Sequence, residues 1–191
     1  SPTQQPATAP RVETAGAGGT VAMPDSFSAD VATRILSAGG NAVDAAVAGA
    51  LVLAVTYPEA GNLGGGGFML TYVDGTAQFL DYRETAPAAA TRDMYLDARG
   101  DVIEGLSLRG HRAVGVPGTV AGLWEAHQRY GKLPWREVIE PAVQLAQRGF
   151  QVPPLLADRA TAEQPRFADT NFLGKGVELA PGGNHVMLMD L

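Results

Sequence analysis

The chain has 191 residues, a formal net charge of −6, 46% hydrophobic residues, 24 glycines and no cysteine. That length carries one well-buried domain and leaves little room for a second. The acidic balance, with 14 lysines and arginines scattered rather than gathered in a stripe, argues against nucleic acid as a partner; the lack of cysteine removes disulfides, thiolate zinc sites and a cysteine nucleophile together.

Abundant glycine with only 7% aromatic residues suggests a tightly packed α/β layer structure. Ser1 to Pro10 is rich in Pro, Thr, Gln and Ala and has no apolar run and no initiating methionine. Residues 1–18 therefore read as a flexible tail left after removal of a signal peptide or tag, and residues 19–191 as the folded part. Phe27, Val31, Ile35 and Leu36 recur at helical spacing over Ser28 to Ser37, with Ser26 or Ser28 as N-cap and Gly39-Gly40 as the stop. Asn41 caps a second helix, and Asp44 three residues on completes a reciprocal capping box. This helix is apolar on every face through Val55, so it needs cover on both sides. Its apolar run from Ala45 to Val55 is too short for a bilayer, which takes about 20 residues. Tyr57-Pro58 ends it.

The glycine run Gly64 to Gly67 allows two readings: an anion-binding nest of backbone amides, or a tight, close-packed turn feeding the first strand, since glycine alone tolerates positive φ. It lacks the Gly-Lys-Ser/Thr ending of a phosphate loop. Strands over Phe68 to Val73 and Phe79 to Tyr82, joined at Asp74-Gly75, make a hairpin. Ala88 to Arg112 is polar and turn-rich, with a surface loop at Asp97 to Asp101. Thr119 to Tyr130 reads as a helix carrying Val120, Leu123, Trp124 and His127 on one face and stopped by Gly131. Trp135 to Gln147 reads as another, closed by Gly149 and kinked or split at Pro141. Trp124 and Trp135 read as core packing. Leu155 to Glu163 is a short helix, and Gly174 to Gly183 a loop.

No complete catalytic constellation is legible. His111, His127 and His185 are far apart, without metal-ligand spacing, and read as surface or packing histidines; Ser26, Ser28, Ser37 and Ser107 lack a Gly-x-Ser-x-Gly elbow. No metal or cofactor is implied. Arg83 stands out at the end of the second strand, where a planar fork that stays charged is suited to a carboxylate. The alternative is that it only pairs with Asp81 or Glu84.

Five segments, in this order, resemble the large subunit of the gamma-glutamyltranspeptidases, the glutathione-hydrolysing family of N-terminal-nucleophile hydrolases. They are Gly39-Gly40-Asn41-Ala42-Val43-Asp44-Ala45-Ala46, Gly64-Gly65-Gly66-Gly67-Phe68, Asp81-Tyr82-Arg83-Glu84-Thr85-Ala86-Pro87, Val116-Pro117-Gly118-Thr119-Val120-Ala121-Gly122 and Pro141-Ala142-Val143-Gln144-Leu145-Ala146. The likeness runs from Gly19 to Val152 and fades afterwards.

The resemblance implies an N-terminal-nucleophile hydrolase fold, a four-layer αββα sandwich completed by a second chain. In the family one precursor cuts itself, and the freed N-terminal threonine of the small subunit is the nucleophile, with its own α-amine as base. No catalytic residue is then expected here. Arg83 aligns with the family's arginine for the α-carboxylate of the gamma-glutamyl group, and Glu84 stands beside it as support. The expected partners are the small subunit, a gamma-glutamyl donor, and water or an amine as acceptor. The resemblance also implies export to the periplasm or medium, and that Leu191 lies inside the large subunit, so that the chain is a fragment. Other readings are a cephalosporin or glutaryl acylase or a poly-gamma-glutamate depolymerase of the same superfamily, or a non-catalytic binding homologue.

Overall fold

The structure, a computed structural model, describes residues 13–15 and 19–169. Its elements are β1 (Glu13–Ala15), β2 (Gly19–Val21), α1 (Ser26–Ser37), α2 (Ala42–Thr56), β3 (Phe68–Val73), β4 (Thr76–Asp81), α3 (Thr119–Tyr130), α4 (Trp135–Arg148) and α5 (Pro154–Asp169). This mixture of helix and sheet agrees with the α/β class expected from composition. The chain divides into two compact units. Of the described residues, one unit holds 13–15, 19–62, 71–78 and 123–148, and the other 63–70, 79–122 and 149–169.

The first unit is built on α1, α2 and α4. Val31, Ala32, Ile35 and Ser28 form the buried stripe of α1, three and four residues apart as a one-sided helix requires. Its N-cap is Asp25, not Ser26 or Ser28. The Asp25 carboxylate accepts the Ser28 amide and hydroxyl, both at 2.7 Å, through one oxygen, and the Thr56 hydroxyl at 2.5 Å through the other. That second bond ties the start of α1 to the end of α2, and so selects aspartate over a neighbouring serine. The helix ends as its Gly39-Gly40 pair predicts: Gly39 takes φ +91°, its amide reaches Leu36 O, and the Gly40 amide reaches Ile35 O.

Helix α2 has the full capping box. Asn41 Oδ1 accepts the amides of Val43 and Asp44, and Asp44 Oδ2 accepts the Asn41 amide, each at 3.0 Å. No residue from Val43 to Thr56 is exposed. α2 packs against α1 on one side and α4 on another, the two-sided cover its all-round apolarity demands. Fully buried Val47 and Val52 contribute about 1.5–3 kcal/mol each. Helix α4 runs through Pro141 without the split that was one of the two expectations there. Val138 and Ala142, one turn apart on either side of the proline, are both buried and hold the helix to its neighbour. Tertiary packing thus outweighs the lost hydrogen bond.

Strands β1 and β2 pair antiparallel, Glu13 opposite Val21 and Ala15 opposite Gly19. β1 falls within the span read as a tail; most of that span, with the 174–183 loop and His185, lies outside the described residues. Strands β3 and β4 are joined by Asp74 (φ +50°) and Gly75 (φ +77°), the paired left-handed residues of a two-residue hairpin turn. Helix α5 is longer than the sequence suggested and contains Pro165. Trp135 is partly buried, whereas Trp124 is 43% exposed and meets it edge-to-face at 5.0 Å, so Trp124 is not the core residue expected.

Candidate functional site

Arg83 lies in the second unit, two residues beyond the end of β4, and the surrounding backbone is fixed from three sides. Gly67 and Tyr82 exchange backbone hydrogen bonds at 3.3 and 3.0 Å, extending the hairpin ladder past the assigned strands. Thr85 and Val116 exchange another pair at 3.2 and 2.9 Å. The amides of Gly118 and Thr119 converge on Gly65 O at 2.8 and 3.1 Å. Finally, Asp81 Oδ1 accepts the Arg83 amide at 3.0 Å.

Only glycine fits the positions that line this segment. A Cβ on Gly66 would stand 2.6 Å from Glu84 N and 2.7 Å from Arg83 Cα; on Gly118 it would strike Tyr82 O, and on Gly122 the Tyr82 ring. None of Gly64 to Gly67 has positive φ; close approach of the Arg83-Glu84 backbone accounts for Gly66 and the Tyr82 ring for Gly67, while a Cβ on Gly64 would meet nothing. The Gly67 amide is engaged by Tyr82 O, which takes it out of any anion nest. The Tyr82 ring is wedged beside Gly67 and Gly122, its hydroxyl donates to Phe68 O at 3.3 Å, and burial raises its phenol above the ordinary 10.0.

The guanidinium itself is exposed. Among the described residues no carboxylate lies within ion-pair distance of it. Asp81 engages the arginine's backbone, and the Glu84 carboxylate lies against Gly66, so neither makes the pairing that the sequence left open. What the guanidinium does meet is the Phe68 ring, with Cζ 5.7 Å from its centroid. Phe79 stacks on the same ring at 5.6 Å. Phe68 was not singled out in the sequence, but a signal for it existed. A two-residue turn at Asp74-Gly75 sets Gly67 opposite Tyr82 and Phe68 opposite Asp81, which makes Phe79 and Arg83 the diagonal neighbours of Phe68 on one face.

His127, in the first unit, is buried against Asp44 and Trp135. Its Nε2 lies 2.9 Å from Leu133 O, a contact that requires the proton on Nε2. It is a packing histidine. No described helix is long and apolar enough to cross a membrane.

The described residues thus form an α/β scaffold whose glycine-lined strand end presents an arginine free of ion pairs. Residues 28–182 match the gamma-glutamyltranspeptidase family model, and the chain belongs to that family. It is 67% identical over 135 residues to a glutathione hydrolase proenzyme of Pseudomonas aeruginosa, a match covering 71% of this chain and 24% of the relative. It is 52% identical over 141 residues to that of Escherichia coli, covering 73% and 24%. Among solved structures, the gamma-glutamyltranspeptidase from Pseudomonas nitroreducens complexed with L-DON superposes with a TM-score of 0.80 at 56% identity, over 90% of this chain and 51% of that one. The chain therefore spans about a quarter of the length of these curated relatives.

Proposed function

We propose that this chain is the N-terminal portion of the large subunit of an enzyme that transfers and hydrolyses gamma-glutamyl groups, glutathione among its donors. In this reading Arg83 holds the α-carboxylate of the gamma-glutamyl group. One observation carries it: an exposed guanidinium on a rigid strand end, with no carboxylate in ion-pair range among the described residues, has both prongs of its fork available to a planar anion. The names of the relatives, glutathione hydrolase proenzymes, support the substrate class and a precursor that is processed.

The nucleophile belongs to the small subunit cut from the same precursor. The hydroxyl of its N-terminal threonine adds to the gamma-carbonyl while the α-amine takes the proton. The donor's amine leaves with a proton, and water or an acceptor amine then cleaves the resulting ester. Arg83 positions the scissile amide for that attack. The exposed apolar residues Phe68, Leu70 and Phe79 support a surface covered by the partner subunit. Export to the periplasm or medium belongs to the same reading.

The test is made in the complete enzyme. Arg83→Ala lowers kcat/KM for gamma-glutamyl donors on the order of 100-fold, Arg83→Lys raises KM while keeping the charge, and precursor cleavage is affected less. A donor whose α-carboxylate is amidated loses most of its advantage with the wild type and little more with Arg83→Ala. If the two losses simply add, Arg83 does not touch that carboxylate.

A further inference from the structure

We propose that Phe68 is a positioning residue for Arg83: its ring face restrains the guanidinium in line with the α-carboxylate while leaving every N–H donor free. The inference rests on the carboxylate role proposed for Arg83. Its starting point is a mismatch around that residue. The Arg83 backbone is held by Asp81, Gly66 and the Gly67–Tyr82 pair, yet the side chain beyond it has four rotatable bonds and no ion-pair partner among the described residues. A long exposed side chain without a contact carries rotamer entropy that a substrate would have to remove on binding.

The contact that does restrain it is the Phe68 ring, 5.7 Å from Cζ. A carboxylate partner would restrain the fork by consuming the donors that the substrate needs and by cancelling its charge. An aromatic face attracts the cation through its quadrupole and takes no hydrogen bond. The hairpin register makes the contact dependable. Phe68 stands opposite Asp81, so its two diagonal neighbours on that face are Phe79 and Arg83, and both touch it. Phe79, stacked on the ring with planes 22° apart, fixes the ring against which the guanidinium lies. The three residues form one row along the outward face of the hairpin, held by the Asp74-Gly75 turn at one end and by the Gly67–Tyr82 pair at the other.

The experiment uses the complete enzyme, a gamma-glutamyl anilide and its α-carboxamide counterpart, with kcat and KM measured separately. Phe68→Leu raises KM for the carboxylate donor about three- to tenfold, with a much smaller change in kcat and no parallel change for the carboxamide. Phe68→Tyr, which keeps the ring face, restores KM to within about twofold of wild type. In an Arg83→Ala background, Phe68→Leu adds little. Should the leucine variant fail to assemble, Phe68→Ile, also ringless and suited to a strand, reads the same quantity. Equal losses on both donors, a tyrosine variant as poor as leucine, or an undiminished effect in the Arg83→Ala background would each overturn the role of Phe68 while leaving that of Arg83 standing. If instead Arg83→Ala penalises both donors alike, the carboxylate role falls and takes this inference with it.

Discussion

The carboxylate of Asp44 and the imidazole of His127 meet 3.7 Å apart, both out of solvent, although 83 residues separate them in the chain. Asp44 also accepts the amides of Asn41, Lys132 and Leu133, at 3.0, 3.0 and 3.2 Å. A single carboxylate thus starts α2 and anchors the connection between α3 and α4, while His127 closes the same connection through Leu133 O.

Asp44→Asn removes the charge from a group that accepts several amides and turns an NH2 toward them. Leaving such buried donors poorly matched costs about 2–3 kcal/mol. The expected result is a lower urea midpoint for the assembled enzyme, with KM for the donor little changed in the surviving folded fraction. An unchanged midpoint would mean that Asp44 is dispensable to this junction.

Gly122→Ala is a test of sign. In a helix interior this exchange ordinarily gains about 1 kcal/mol. Here the new methyl group meets the Tyr82 ring, and overpacking of this kind costs about 1–3 kcal/mol. The melting temperature therefore falls where helix propensity alone would raise it. A rise would show that α3 does not lie against Tyr82.

The third expectation concerns alkaline pH. Burial raises the Tyr82 phenol above its ordinary 10.0. A group whose folded pKa exceeds its unfolded value contributes stability that is complete below the unfolded pKa and is lost as pH rises through the folded one. Tyr82→Phe has no proton to lose. Its melting temperature should fall less steeply than the wild type's above about pH 10, measured in parallel titrations. Parallel curves would show that the phenol is solvated as in an unfolded chain.

Local chemistry was legible wherever the interaction was itself local. The Asn41–Asp44 box, the Schellman ending at Gly39-Gly40 and the Asp74-Gly75 turn all followed from residues within a few positions of one another. What escaped was decided at long range. Asp25 caps α1 because Thr56 reaches it across 31 residues, and α4 tolerates Pro141 because burial holds both flanking turns. The close packing of the glycine run was legible, its positive φ was not borne out, and nothing in Gly64 to Gly67 names the Arg83-Glu84 backbone that Gly66 must admit. At the candidate site, the position of Arg83 at a strand end was readable, while its freedom from Asp81 and Glu84 is decided by where the fold turns those two carboxylates. Phe68 was within reach of register arithmetic on the hairpin, but not of a search for chemically reactive residues.

The crowding around Tyr82 to Glu84 also has a consequence for how this scaffold can diversify. Gly66, Gly118 and Gly122 each sit where even a methyl group collides with that segment. Single substitutions there cannot nudge the arginine by small steps; they displace it or unfold its setting. On the role proposed for Arg83, a change of acyl group would then arise around the far end of the donor, with this corner left as inherited. The backbone that carries Arg83 is then the constant feature of the scaffold, and variation falls elsewhere.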